Sequence, residues 1–131
     1  MALQQLIYAS RPFGYDSSVL AGILSKARVS NKQNDITGSL ICRSDIYLQL
    51  IEGPSEKIDT LFEKIRRDDR HVEVTVLSRA QPQDRLFPEW DMKHDPAHSW
   101  LWSPDEIHDG ILQTVSADQV RAVFIRSSEA S

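Results

Sequence analysis

Two apolar runs, "SLICR" at 39–43 and "IYLQLIEG" at 46–53, are separated by only the two residues Ser44 and Asp45. Runs that close can pair only as an antiparallel hairpin, because a parallel pairing needs a crossover of about a dozen residues or more. The second run also carries a conflict. Gln49 stands in the middle of it, and burying an amide without a partner costs roughly 2–7 kcal/mol, depending on the reference state. Side chains alternate along a strand, so Tyr47, Gln49 and Ile51 share one face and Leu48 and Leu50 the other. Whichever way the strand is turned, Gln49 points into a packed layer, where it requires a hydrogen-bonding partner or a task.

The flanking segments extend the pattern. "LQQLIYA" from Leu3 to Ala9 reads as a first strand, stopped by "SRPFGYDSS" with Pro12 and Gly14. From about Asp16 to Val29, the residues Val19, Leu20, Ile23, Leu24 and Ala27 recur at helical spacing behind the N-cap candidates Asp16, Ser17 and Ser18. The polar loop "SNKQNDITG" leads into the hairpin. Beyond Pro54 and Ser55, the residues Ile58, Leu61, Phe62 and Ile65 mark a second helical stripe that ends in the charged run Arg66 to Arg70. "VEVTVLSR" alternates Val72, Val74 and Val76 with polar neighbours, as a half-buried strand does. A loop with Pro82 and Pro88 separates it from a last short strand, "WDMKH".

The order is strand, helix, strand, strand, helix, strand, strand. It predicts an α+β sandwich of ferredoxin-like type, a mixed five-stranded sheet with both helices on one face and the first and third strands central. Downstream, "SPDE" at 103–106 and "SADQ" at 116–119 are capping-box patterns and predict two short helices. The sheet's open face is where Trp100, Trp102, Ile107, Ile111 and Leu112 would be buried. The expected organisation is a sheet domain over residues 1–95 and a dependent helical extension over 96–131.

Several classes are disfavoured. With 131 residues one compact domain is expected, and no apolar run approaches the roughly 18 residues that suggest a membrane span. The start "MALQQLIYAS" lacks the basic leader of an export signal, and the single cysteine, Cys42, cannot form an internal disulfide, so a cytoplasmic location is expected. A net charge of −4 with interspersed signs lacks the basic stripe that nucleic acid requires. His71, His94, His98 and His108 have no cysteine or carboxylate constellation around them that would complete a metal site.

In this topology the first strand lies beside the third, which brings Tyr8 and Gln49 to one buried spot. A phenol–amide hydrogen bond would satisfy both groups, and for an arbitrary pair that structural explanation suffices.

The motifs go further. "LIYAS" at the start, "NDITGSLI" leading into "YLQLIEGP", the helix ending "IRRDDRH", and "RLFPEWDM" resemble, in order and spacing, the successive signatures of the BLUF family of flavin-using blue-light sensors. The resemblance runs from about Leu3 to about His94. It implies that Gln49 lies between Tyr8 and a flavin ring, as the switching glutamine beside the photoactive tyrosine. By the same resemblance Asn31, in the loop after the first helix, meets the flavin's polar edge, with Ser30 beside it. Ile23 and Ile65 would wall the ring, Lys64 would approach the ribityl phosphate, and Asp68, Arg70 and His71 would lie near that end. Trp90 and Met92 match the pair on the last strand implicated in passing the signal on. The implied cofactor is non-covalent flavin, with FAD preferred to FMN, although both would meet the same ring-binding residues.

The mechanism implied by the resemblance is light-driven rather than enzymatic. Tyr8 gives an electron and then a proton to the excited flavin, and recombination leaves Gln49 rotated, tautomerised or both. A stronger hydrogen bond to the ring then shifts its absorption to the red. The expected partners are flavin, a second copy of the chain in a homo-oligomer, and a separate effector protein such as a cyclic-nucleotide enzyme or a regulator, reached in trans. Rival readings are an acyl-phosphate hydrolase, for which the glycine-rich anion loop is missing, and a flavin-free interaction module that kept the fold and lost the pigment.

Overall fold

A computed structural model describes residues 3–12, 17–43, 46–67, 71–87, 93–96 and 101–129. The elements run β1 (Leu3–Pro12), α1 (Ser17–Gln33), β2 (Thr37–Arg43), β3 (Ile46–Pro54), α2 (Ser55–Arg67), β4 (His71–Ala80), β5 (Lys93–Pro96), α3 (Pro104–His108), α4 (Ile111–Thr114) and α5 (Ala117–Glu129). The sheet order is β4-β1-β3-β2-β5. β1, β3, β2 and β4 pair antiparallel, and β5 adds to β2 in parallel, so the sheet is mixed and β1 and β3 are central, as expected.

The hairpin closes in the register that its two-residue break dictates, with Arg43 opposite Ile46 and Leu40 opposite Gln49. β3 is buried on both faces over almost its whole length. A strand can read as nearly continuous apolar residues only when two layers cover it, and two layers do. On one face Leu6, Tyr8, Leu40, Tyr47 and Ile51 pack against Leu24 of α1 and Ile58 and Phe62 of α2. On the other face Ile7, Ala9, Ile41, Leu48 and Leu50 pack against Phe87, Leu101 and, from α5, Val120 and Phe124.

The C-terminal helices therefore do cover the second face, and Trp102, Ile107 and Leu112 lie against that core. Those three are half-buried rather than buried, as is Ile111, and Trp100 lies outside the described residues. The capping boxes form at both predicted sites: Glu106 N donates to Ser103 Oγ while Ser103 N donates to Glu106 Oε1, and Gln119 and Ser116 exchange the same pair of bonds. Among the described residues this region holds three helices rather than two, because Gly110, in the left-handed region at φ 92°, ends one turn and starts the next. The longest, α5, has 13 residues.

Two further expectations are corrected. The first helix does not end near Val29 but continues to Gln33, which puts Ser30 and Asn31 in its final turns rather than in a loop. No breaker intervenes before Asn34, whose backbone N–H and side-chain Nδ2 both donate to the Ser30 carbonyl, and Asp35 then leaves the helix at φ 58°. Val76, expected on the covered face of its strand, is 44% exposed. β4 is an edge strand, and the helix layer above it reaches Val74 but not Val76.

Candidate functional site

Tyr8 and Gln49 are direct cross-strand partners on the two central strands. Both are buried beneath the α1/α2 layer, and the Tyr8 hydroxyl donates to Gln49 Oε1. The amide in the apolar strand thus has its partner, and the bond orients it. Beside Tyr8 the pairing with β4 slips, since Ile7 is opposite Ser78 but Tyr8 is opposite Val76. Such a bulge bends the strand and re-aims the side chain next to it. The Tyr8 ring lies 5.6 Å from the Phe62 ring at 56°, a tilted aromatic contact that holds the phenol against α2.

Asn31 is almost fully buried at the end of α1. Its backbone carbonyl accepts from the N–H groups of both Asn34 and Ile36, so the turn that follows fixes its position. Ser30 is half-buried beside it. Ile65 is half-buried on α2 and packs against the same core as Tyr8, whereas Lys64 is exposed. Ile23 belongs to α1 and His71 opens β4, but their side chains are outside the described set. Asp68, Arg70, Trp90 and Met92 lie outside the described residues altogether.

The chemistry of this set suits an aromatic heterocycle. A flat ring needs apolar walls and a few convergent polar groups. The helix-side layer supplies aliphatic and aromatic walls together with a phenol, an amide and a buried asparagine.

The family described as sensors of blue light using FAD matches residues 3–93. The chain belongs to the BLUF family. It is 37% identical over 94 residues to the photoactivated adenylate cyclase subunit alpha-like protein FB of Euglena gracilis, a match covering 70% of this chain and 9% of that protein. Among solved structures, the dark state of the BLUF protein BlrB matches with a TM-score of 0.79 at 27% identity, over 96% of this chain and 97% of that one. The photo-activated state of BlsA matches with a TM-score of 0.77 at 25% identity, over 95% and 93%. BLUF membership makes this chain a blue-light photoreceptor that uses flavin, and the flavin-free module gives way to it.

One buried group escaped the sequence reading. Glu52, on β3 three residues beyond Gln49, is fully buried on the opposite face of the sheet. Its Oε1 accepts from Gln5 Nε2 and from the backbone N–H of Leu86, and its Oε2 accepts from the N–H of Phe87. The signal was available: a charged residue in a strand covered on both sides poses the question that Gln49 poses, more sharply.

Proposed function

We propose that Tyr8 and Gln49 are the photoactive pair of this BLUF protein and that flavin lies against them, between α1 and α2. The supporting observation is the buried hydrogen bond from the Tyr8 hydroxyl to Gln49 Oε1, under a layer with apolar walls. Flavin supplies the absorption of blue light and the acceptor for one electron. Tyr8 supplies that electron and its hydroxyl proton, which can leave along the bond to Gln49, and Tyr8 regains both on recombination. Gln49 is suited to record the event because an amide carries donor and acceptor on one flat group, so rotation or tautomerisation exchanges them.

Asn31, with Ser30, holds the polar edge of the ring. Ile65 and Ile23 wall it, and Lys64, Asp68, Arg70 and His71 attend the phosphate end. FAD is preferred to FMN, in keeping with the description of the family. Residues 1–95 form the sensor and 96–131 its dependent cap. The signal leaves through Trp90, Met92 and the C-terminal helices to a partner protein, with a homo-oligomer as the working form and no enzymatic activity in the sensor. The chain spans 9% of the cyclase it matches, so a cyclic-nucleotide enzyme is proposed only as an effector. The proposed location is the cytoplasm, and no described helix is long and apolar enough to cross a membrane.

The test is the visible spectrum of the purified protein before and after blue light, with chromatographic identification of the released pigment. A yellow protein with a reversible red shift and released FAD is expected, and Tyr8→Phe retains the pigment and loses the shift. A colourless protein that takes up no added flavin overturns the reading.

A further inference from the structure

Gln5 and Glu52 are paired on the same two antiparallel strands as Tyr8 and Gln49, three residues before Tyr8 and three after Gln49, and on the opposite face. The Gln5 amide uses both ends: Nε2 donates to Glu52 Oε1 at 3.1 Å, and Oε1 accepts from Arg121 Nε of α5 at 3.0 Å. The Glu52 carboxylate also takes the backbone N–H groups of Leu86 and Phe87, at 3.0 and 2.7 Å. These two residues belong to the segment that leads from β4 toward Trp90, Met92 and β5. Immediately before them Arg85 clamps the same end of the sheet, donating to the Asp35 carbonyl at 2.7 Å and to Thr37 Oγ1 at 3.0 Å.

We infer that Glu52 is a positioning residue that carries the state of Gln49 to the connector at Leu86–Phe87 and, through Gln5 and Arg121, to α5. The inference rests on the photoreceptor reading and adds the route by which the photoactive face reaches the capped face. The physical argument has three parts. β3 is buried on both sides and close-packed, so a rearranged Gln49 moves the strand rather than only its own side chain. About 10 Å along the strand from Gln49, the Glu52 carboxylate accepts from three N–H donors on two other segments, β1 and the connector at Leu86–Phe87. Those bonds are directional and buried, so a small displacement of the carboxylate lengthens several together, and buried donors left unpaired are costly.

The test is amide hydrogen exchange on the full flavin-loaded chain, in darkness and under continuous blue light, with the flavin spectrum recorded on the same samples. In the wild type, light accelerates exchange at Leu86 and Phe87 and along 117–129 by about tenfold. In Glu52→Gln, which sets an amide N–H₂ against one of the two backbone donors, dark exchange at Leu86 and Phe87 is already at the lit level, light adds nothing further, and the red shift persists. Arg121→Gln, a change outside the core, keeps the light response at Leu86 and Phe87 and abolishes it in α5. If Glu52→Gln does not fold, the Arg121 variant and the wild type still decide. A normal red shift with unchanged exchange at Leu86 and Phe87 overturns the relay while leaving the photoreceptor reading intact. A missing red shift in the wild type removes both.

Discussion

Tyr8 and Gln49 stand opposite each other on the two central strands of the sheet, and the hydroxyl of one donates to the amide oxygen of the other beneath the helix layer. Each is the other's answer to the cost of burial. On the proposed role of the pair, an electron and a proton leaving Tyr8 are felt first by Gln49.

Gln49→Leu keeps the apolar volume and removes both ends of the amide. The variant is expected to retain flavin and lose the light-induced red shift, at a stability cost of about 1 kcal/mol for the hydrogen bond removed. Absorption difference spectra and urea denaturation check the two parts separately.

Asn31→Ala leaves intact the backbone carbonyl that closes the turn onto Asn34 and Ile36. The fold is therefore expected to survive. On the proposed role of Asn31 at the flavin's polar edge, retention is expected to weaken by about tenfold, measured by equilibrium dialysis against free flavin.

Gly38→Ala tests the hairpin. A Cβ at this position would collide with the carbonyl oxygen of Leu50 on the facing strand, and its other nearest atoms are also backbone. No side chain can swing away, so the strands must separate, at an expected cost of about 1–3 kcal/mol or more. Chemical denaturation reads it, and an unchanged midpoint contradicts the close approach.

Phe124→Ala tests whether the C-terminal helices belong to the sensor. Phe124 is fully buried and meets Phe87 edge to face, with ring centroids 6.4 Å apart. Truncation is expected to cost about 3–5 kcal/mol and to unfold the chain in one transition with the sheet. A separate early transition of α5 would mean that the cap is not integral.

Much of the fold was legible because its signals are local. The two-residue break fixed the hairpin, both capping boxes formed where Ser103 and Ser116 stand, and the position of Gln49 in an apolar run marked it as a residue with a partner. The motifs running from Leu3 to His94 carried the family. Other features were not local. The length of α1, and with it the helical setting of Ser30 and Asn31, depended on Asn34 and Asp35 closing the last turn. The exposure of Val76 depended on β4 being an edge, which no alternation pattern reports.

The sequence alone determined the strand and helix order through β5, the pairing of β2 with β3 and the residue types of the Tyr8–Gln49 pair, because spacing, turn length and side-chain alternation are properties of neighbours in the chain. Only the tertiary structure decided that Glu52 lies fully buried, where Gln5, Leu86 and Phe87 reach it and Arg121 reaches Gln5. Arg121 is 116 positions from Gln5, and no local propensity links them. They meet because the sheet's second face must be covered, and the helix that covers it with Val120 and Phe124 also sets Arg121 against Gln5.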